Sequence, residues 1–600
     1  MQALILAAGF GRRMRPLTDS CHKTLLPISG STILDRIIGG LQERAVTPIT
    51  IVTGYRADDV VEHVERHFPA VDVRYVHNKD YEITNNIHSM ALAFEEMAFD
   101  DDVVLIESDL IYEAAVLDRL LASPAENVAL VDHYRAGMDG TVVTLGDTGL
   151  ITQVIPPSLQ PSDFSFADKY KTLNMYRFSK EFCRDTLRKL LTYYAQTFDR
   201  NCYYELILGI LIYMQQAEVH GEVVAGERWA EVDDPNDLRI AEFTFNPDTR
   251  YEAMTTGWGG NWGNDVLDFA FIRNMYFPTP AMLSELRLNL PELLQNYGSH
   301  QSILDEKLAW ALQWPAEVVH AVAGASQCYP WLRSWFGGRR VLIPDPTFGE
   351  YSRVFPDARR YRDHPGFDWR EIEDAAEDAD VVVFVNPNNP TGSHLATDDI
   401  VGFARRHPRT TVVVDESFID FCDEPSIVDR MDGVALTNVL VVKSLSKCLG
   451  VPGLRLGVLA TTDPDMGARI RSEQPIWNLG SLAENFLEVM LKHRPALEQS
   501  YARTIADRDS LARLLGAHPL VDTVFPSGGD FLLVRLASPQ AEAGDLARRL
   551  VAQEGLLVKD VSEKIGDGRG YWRLAVRSPG DHQRLLVALD ACVPAVVSAR

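Results

Sequence analysis

Lys447 sits in "VVKSLSKCLGVPGLRLG", where Ser444 and Ser446 precede it and Arg455 follows. An amine among anion-binding groups suits covalent capture of an aldehyde whose carrier is also a phosphate, and pyridoxal phosphate is both. Ser444, Ser446 and Arg455 would hold the phosphate and Lys447 the aldehyde carbon. A second constellation opens the chain: "LILAAGFGRRM" runs a buried-strand pattern into a turn bearing Gly9 and Gly11, where backbone N–H groups can approach a phosphate. Arg13, and Lys23 in "HKTLLPI", lie just downstream and can neutralise a triphosphate. Taken alone the glycine turn is weak evidence, because a plain strand turn reads the same way.

The elements around these residues alternate. Short apolar runs ("ALILAA", "ITIVTG", "DVRYVH", "DVVLIES", "NVALVD") interleave with helical patterns such as "TILDRIIGGLQER" and "DDVVEHVERHF". That alternation predicts a largely parallel sheet covered by helices over residues 1–245. "TFNPDTRYEAMTTGWGGNWGND" breaks the rhythm with Pro, Gly and Asn and marks a seam. Residues 246–600 are again α/β, with strands such as "DVVVFV" and "TTVVVD" running into loops, and a smaller subdomain begins near Arg494. No internal repeat is visible.

With 600 residues the chain exceeds what one core usually organises, so two enzymes in tandem fit. A net charge of -26 disfavours nucleic acid and anionic membrane surfaces, so anionic substrates must meet locally basic pockets. Seven scattered cysteines without C-x-x-C spacing suggest free thiols in a reducing cytoplasm. The apolar start is too short for a membrane span, and Arg12 and Arg13 follow it rather than precede it, unlike a signal peptide.

"LAAGFGRRMRPLT" with "KTLLPI" resembles the signature of nucleotidyltransferases that activate sugar phosphates and phosphocholine, and "YEITNNIHSMALA" and "MYRFS" look like the phosphocholine cytidylyltransferase branch. The resemblance implies a Rossmann-like fold, CTP as co-substrate and a nucleotide site at Leu6, Ala7, Ala8, Gly9, Gly11, Arg13 and Lys23. It also implies magnesium on Asp109 of "LIESDLIY" and on an aspartate of "WAEVDDPNDL". Asp233 is chosen there for its place after "EV", although Asp234 adjoins it. Hard Mg²⁺ suits carboxylates plus phosphate oxygens, and phosphoryl transfer chiefly needs positioning and charge neutralisation. Two surface acids are the bland alternative.

"SLSKCLGVPGLRLG" resembles the cofactor-lysine motif of fold type I aminotransferases, with "NPNNPTG" and "VVVDESF" upstream in family order. By that resemblance Asn389 bonds the ring hydroxyl, and Asp415 pairs with the pyridinium nitrogen. Gly324, Ala325, Ser326 and Gln327 form the phosphate turn, and Phe348 stacks on the ring. Tyr297 reaches a neighbouring subunit's cofactor, which implies a homodimer. Arg573, with Arg577 nearby, would grip a substrate carboxylate, a task that bidentate guanidinium suits. Individually each has a structural counterpart: a strand cap, a core aromatic, a solvated arginine.

Phe418 in "DESFIDF" stands where histidinol-phosphate aminotransferases usually have tyrosine, and this looks more like threonine-phosphate decarboxylase. "LDFAFIRNMYFP" and "GWGGNWGN" also resemble that enzyme's amino-terminal segment. Cys448, Leu449 and Gly480 depart from the family pattern, so the substrate pocket differs. The whole chain resembles the fused nucleotidyltransferase and decarboxylase of fosmidomycin-type phosphonate antibiotic biosynthesis. That implies CMP attachment to 2-amino-4-phosphonobutyrate and loss of CO₂, in either order. Rival readings are a transaminase making aminoethylphosphonate, a phosphoserine decarboxylase leading to CDP-ethanolamine, and a non-catalytic nucleotide-binding scaffold.

Overall fold

A computed structural model describes residues 1–597 apart from 136, 162, 258, 261 and 432–435. Trp258 and Asn261 of the glycine-rich run therefore lie outside the described residues. The chain forms two compact units, Met1–Asp265 and Val266–Arg600. Residues 246–265 go with the first unit. Arg250, opening the helix Arg250–Thr256, donates from Nε to the Phe243 carbonyl at 2.7 Å.

The first unit is built on a nine-stranded sheet. Its central strand Gln2–Ala7 is wholly buried and pairs in parallel with Ile49–Thr53 and Val103–Glu107, and Val73–His77 extends the parallel part. Near-continuous aliphatic runs are what strands covered on both faces require. The helix Ile33–Glu43 starts from a capping box between Thr32 and Asp35 and buries Ile33, Leu34, Ile37, Ile38 and Leu41.

The expected largely parallel sheet holds on this side, and beyond it only His220–Val223 runs parallel to its neighbour, Val128–His133. Tyr170–Phe178 runs antiparallel to both Val103–Glu107 and Val128–His133, and Val142–Leu145 pairs antiparallel with Ile151–Ile155. "YKTLNMYRF" hides its role because four polar residues, Lys171, Thr172, Asn174 and Arg177, are buried in it. Its register slips between Thr172 and Tyr176, with Asn174 at φ 56, a bulge of the kind that re-aims side chains beside active sites.

The second unit has a seven-stranded sheet. Five strands, Arg359–Arg362, Val341–Asp345, Val381–Val385, Thr411–Asp415 and Val439–Ser444, run parallel in that spatial order. Gly457–Ala460 runs antiparallel between Val439–Ser444 and Val319–Val322. The parallel strands deliver Asp415 and Ser444 at their carboxyl ends, where ligands of open α/β sheets gather. After the helix Arg494–Gly516, a four-stranded antiparallel sheet carries Phe531–Pro539 beside Arg569–Ala575. Among the described residues, no helix is long and apolar enough to cross a membrane.

Candidate active sites

In the first unit a cavity of about 650 Å³ is lined by Leu6, Ala8, Gly9, Gly11, Arg13, Lys23, Asp109 and Asp233. Ala7, also expected there, is packed in the core and does not line it. Gly11 adopts φ +63, which side-chain-bearing residues seldom do, and a Cβ there would press on Lys23 and Thr18 at 3.3 Å. Beside Gly9 there is open space.

The charged groups converge from three stretches of chain. Lys23 Nζ donates to Asp109 Oδ2 at 3.0 Å and to Asp233 Oδ1 at 2.7 Å, and Arg13 Nη2 pairs with Asp233 Oδ2 at 2.6 Å. Burial opposes charge on Lys23, yet Asp109 and then Asp233 hold its pKa above the usual lysine value. Burial likewise pushes Asp233 up, but Lys23 and Arg13 bring it below the usual carboxylate range. Asp234 has other work: its side chain caps the helix Pro235–Phe245 by accepting from the backbone of Asn236 and Asp237. Asp109 Oδ1 is buried without a partner, and carboxylate oxygens of Asp139, Glu231 and Asp233 lie within 4.8 Å of one another. Such a donor set is the kind hard divalent cations take.

In the second unit, Lys447 closes the turn after Val439–Ser444, and among the described residues its amine makes neither a hydrogen bond nor an ion pair. Its pKa lies below the usual lysine value, first through burial and also through Arg573 and Arg455, with Asp530 opposing. Arg455 Nη2 donates to Ser326 Oγ at 2.8 Å, directly beside Gly324. A Cβ on Gly324 would come within 2.6 Å of that guanidinium, and Gly324 itself has φ +74, so the turn has to be glycine. Ser446 Oγ is buried with no partner. These orphaned and glycine-cleared groups fit a phosphate. The backbone N–H of Ser444 donates to Ser417 Oγ at 3.0 Å. Gln327 spends its side-chain oxygen on the N–H of Ala323 at 2.6 Å, while Ala325 is buried in the turn.

Asp415 is buried at the sheet end, accepting from Tyr351 Oη at 2.8 Å and the Ser417 N–H at 3.0 Å. Burial raises its pKa against these hydrogen bonds, which suits it to an added cationic N–H partner. Phe348 lies 6.1 Å from the Tyr329 ring, which meets Tyr351 edge-on at 5.6 Å. Arg573 Nη1 donates to Asn389 Oδ1 at 2.9 Å, and burial lowers the Arg573 pKa to about 10. Arg577 is buried, its Nε making no hydrogen bond and lying 3.9 Å from Asp581 Oδ2. Tyr297 stands apart, 77 % exposed and stacked on Trp477 at 4.3 Å. Phe418 is buried edge-on against Phe531 at 5.1 Å. The segment "LDFAFIRNMYFP" walls this site: the N–H of Asn274 donates to the Lys447 carbonyl at 2.9 Å, and the Ala270 carbonyl accepts from Arg573.

Several residues escaped the sequence reading. Tyr351 and Ser417 flank Asp415, and only the spacing of "DES" could have suggested the serine. Asp530 is 0 % exposed with both oxygens unpartnered, and burial pushes its pKa up to about 7. In the first unit Glu107, Lys171, Glu205 and Glu231 line the cavity as well.

Comparison with known proteins defines the class first. Residues 3–181 match the family described as MobA-like NTP transferase domain, and residues 312–591 match aminotransferase class I and II. The chain is thus an enzyme joining a nucleotidyltransferase to a fold type I, pyridoxal phosphate-dependent unit. It belongs to the family of CMP-5'-(3-aminopropyl)phosphonate synthase of Streptomyces rubellomurinus, to which it is 32% identical over 99% of this chain and 95% of that protein. The second unit is 29% identical to threonine-phosphate decarboxylase of Salmonella typhimurium over 49% of this chain and 82% of that enzyme. Histidinol-phosphate aminotransferase of Sinorhizobium meliloti, solved with pyridoxal-5'-phosphate, superposes with a TM-score of 0.50 at 17% identity. It covers 59% of this chain and 98% of its own, and shows the fold alone.

Proposed function

We propose that the first unit transfers CMP from CTP to the phosphonate of 2-amino-4-phosphonobutyrate, and that the second removes the carboxylate as CO₂, giving CMP-5'-(3-aminopropyl)phosphonate. The observation that carries this reading is the span of the Streptomyces synthase likeness, which runs through both units and takes in both lysine sites. In the first, Lys23 and Arg13 offset the charge of the α-phosphate as pyrophosphate leaves. Asp109 and Asp233 would hold Mg²⁺, which supplies further charge neutralisation. A phosphonate is largely anionic at neutral pH, so no dedicated base is required.

In the second unit, Lys447 would hold pyridoxal phosphate, with Ser326, Ser444, Ser446 and Arg455 on its phosphate, Phe348 on the ring face, Asn389 at the ring hydroxyl and Asp415 at the ring nitrogen. Bound there, the cofactor supplies an electron sink for the bond broken at the substrate Cα. The depressed pKa of Lys447 favours the neutral amine that covalent capture needs. Arg573 and Arg577 orient the substrate carboxylate. The exposed Tyr297–Trp477 stack supports a homodimer in which Tyr297 reaches the neighbouring cofactor, and light scattering of the purified protein would measure it. Residence in the cytoplasm agrees with seven unpaired cysteines.

The test is a mass-resolved incubation with CTP, Mg²⁺, pyridoxal phosphate and 2-amino-4-phosphonobutyrate, omitting any keto acid. A CMP adduct lighter by one CO₂ is expected. An adduct keeping its carboxylate, or no adduct, would redirect the search to phosphoserine and then to transamination yielding aminoethylphosphonate, assayed with an amino donor.

A further inference from the structure

One end of the first unit's cavity is lined by three glutamates, of which Glu107 and Glu205 have no part in the phosphoryl-transfer reading and Glu231 adjoins the candidate cation donors. Glu107 ends the strand Val103–Glu107, Glu205 opens the helix Glu205–Tyr213, and Glu231 ends the strand Trp229–Glu231. Asn86 Nδ2 donates to Glu107 Oε1 at 3.1 Å, and Asn86 Oδ1 accepts from the Tyr204 N–H at 3.0 Å, so one amide ties two walls together. Lys171 Nζ lies 3.1 Å from Glu231 Oε2 and donates to the Thr172 carbonyl at 2.7 Å, while Asn174, aimed by the bulge, donates to Glu231 Oε1 at 3.3 Å. Glu205 is 3 % exposed, and its Oε2 has no partner, nor has the buried hydroxyl of Tyr204. Three carboxylates thus line one end of the cavity, with Glu231 paired to Lys171 and Glu205 nearly closed to water. Such an excess of acceptors is relieved either by protonation or by a positively charged group that completes it, and these line a substrate-sized cavity that such a group can enter.

We propose that Glu107, Glu205 and Glu231 form the head-group subsite of the nucleotidyl acceptor, taking the N–H groups of its primary ammonium. Resting on the function proposed above, this names what the first unit reads in its acceptor. A primary ammonium has three donors and the glutamates offer it acceptors from three sides, the unpartnered Glu205 Oε2 among them. Glu231 lies within 4.8 Å of Asp233, so a short alkyl chain can join an ammonium there to a phosphonate beside Lys23 and Arg13. Lys171 and Asn174 position Glu231. An acceptor without the amine leaves the carboxylates uncompensated, which is how a site of this kind rejects an analogue.

The experiment compares 3-aminopropylphosphonate or 2-amino-4-phosphonobutyrate with propylphosphonate, following pyrophosphate release from CTP by the whole chain. The wild type should favour the amino acceptors by about a hundredfold or more in kcat/KM. Glu205→Gln and Glu107→Gln, which keep side-chain volume, should raise the amino acceptor's KM about tenfold or more, hold the KM for CTP within about twofold, and shrink the preference. Equal losses on amino and desamino acceptors would mark the glutamates as structural and overturn the subsite. A wild type indifferent to the amine would overturn it too, while leaving CMP transfer standing. Failure of every phosphonate and phosphate to release pyrophosphate would instead sink the underlying transferase reading.

Discussion

Lys23 and Lys447 are the same residue type in opposite surroundings. Lys23 is clasped by Asp109 and Asp233 and holds its charge more firmly than a free lysine. Lys447 is half-buried with no ion pair among the described residues, lies near two arginines, and holds its charge less firmly. A permanently charged amine can neutralise phosphate but cannot attack, and an easily deprotonated one can attack. On the proposed function, these surroundings suit one lysine to electrostatics and the other to covalent chemistry. Lys443, one turn before Lys447, sharpens the point: it is buried, but pairs with Asp420 at 2.8 Å, and its pKa is raised.

The widest break in the comparison comes from Lys447→Ala, which should lower CO₂ release at least about a thousandfold and abolish the visible absorption of bound pyridoxal phosphate. Pyrophosphate release should stay near wild type, and loss of both activities in a folded protein would refute the two-site picture. Asp109→Ala should do the reverse, cutting pyrophosphate release by about 10²–10³-fold with decarboxylation spared, read in the same two assays. Lys443→Met should act on stability rather than chemistry. It strands Asp420 without its cation and should cost about 3–5 kcal/mol by denaturant unfolding, with the cofactor spectrum of the folded fraction unchanged.

The smallest effect concerns Glu416, beside that pair, whose pKa burial pushes up to about 7 from an ordinary 4.5 despite Lys443. Because the folded state holds this proton more tightly, its contribution is full below pH 4.5 and disappears as pH rises through 7. Glu416→Gln should therefore flatten the fall in stability of the second unit over that window by about 3 kcal/mol. An unchanged slope would mean that Glu416 is already ionised in the folded protein.

Much of the fold could be read from the chain, since the parallel strands are aliphatic runs and their helices keep a clear amphipathic period. Tyr170–Phe178 could not: Lys171 and Asn174 belong to a cavity, Arg177 is held by the Leu121 and Ser123 carbonyls, and such burial is settled by partners far away. The turns at Gly11 and Gly324 were legible because left-handed backbone and close neighbours restrict residue choice. Asp530 and Glu205 gave no local sign, since a lone acid in sequence is ordinarily solvated.

By itself the sequence determined which chemistries the chain can attempt, through the order of its motifs and the kinds of residue in them, because local backbone geometry and side-chain type are local properties. Only the tertiary structure decided which acids and amines meet. It placed Asp233 on Lys23 across 210 positions of chain and gave Asp234 to a helix cap. It left Lys447 unpaired while pairing Lys443, and gathered Glu107, Glu205 and Glu231 around one cavity. Electrostatic environment is a sum over neighbours in space, and those neighbours exist only once the strands have paired.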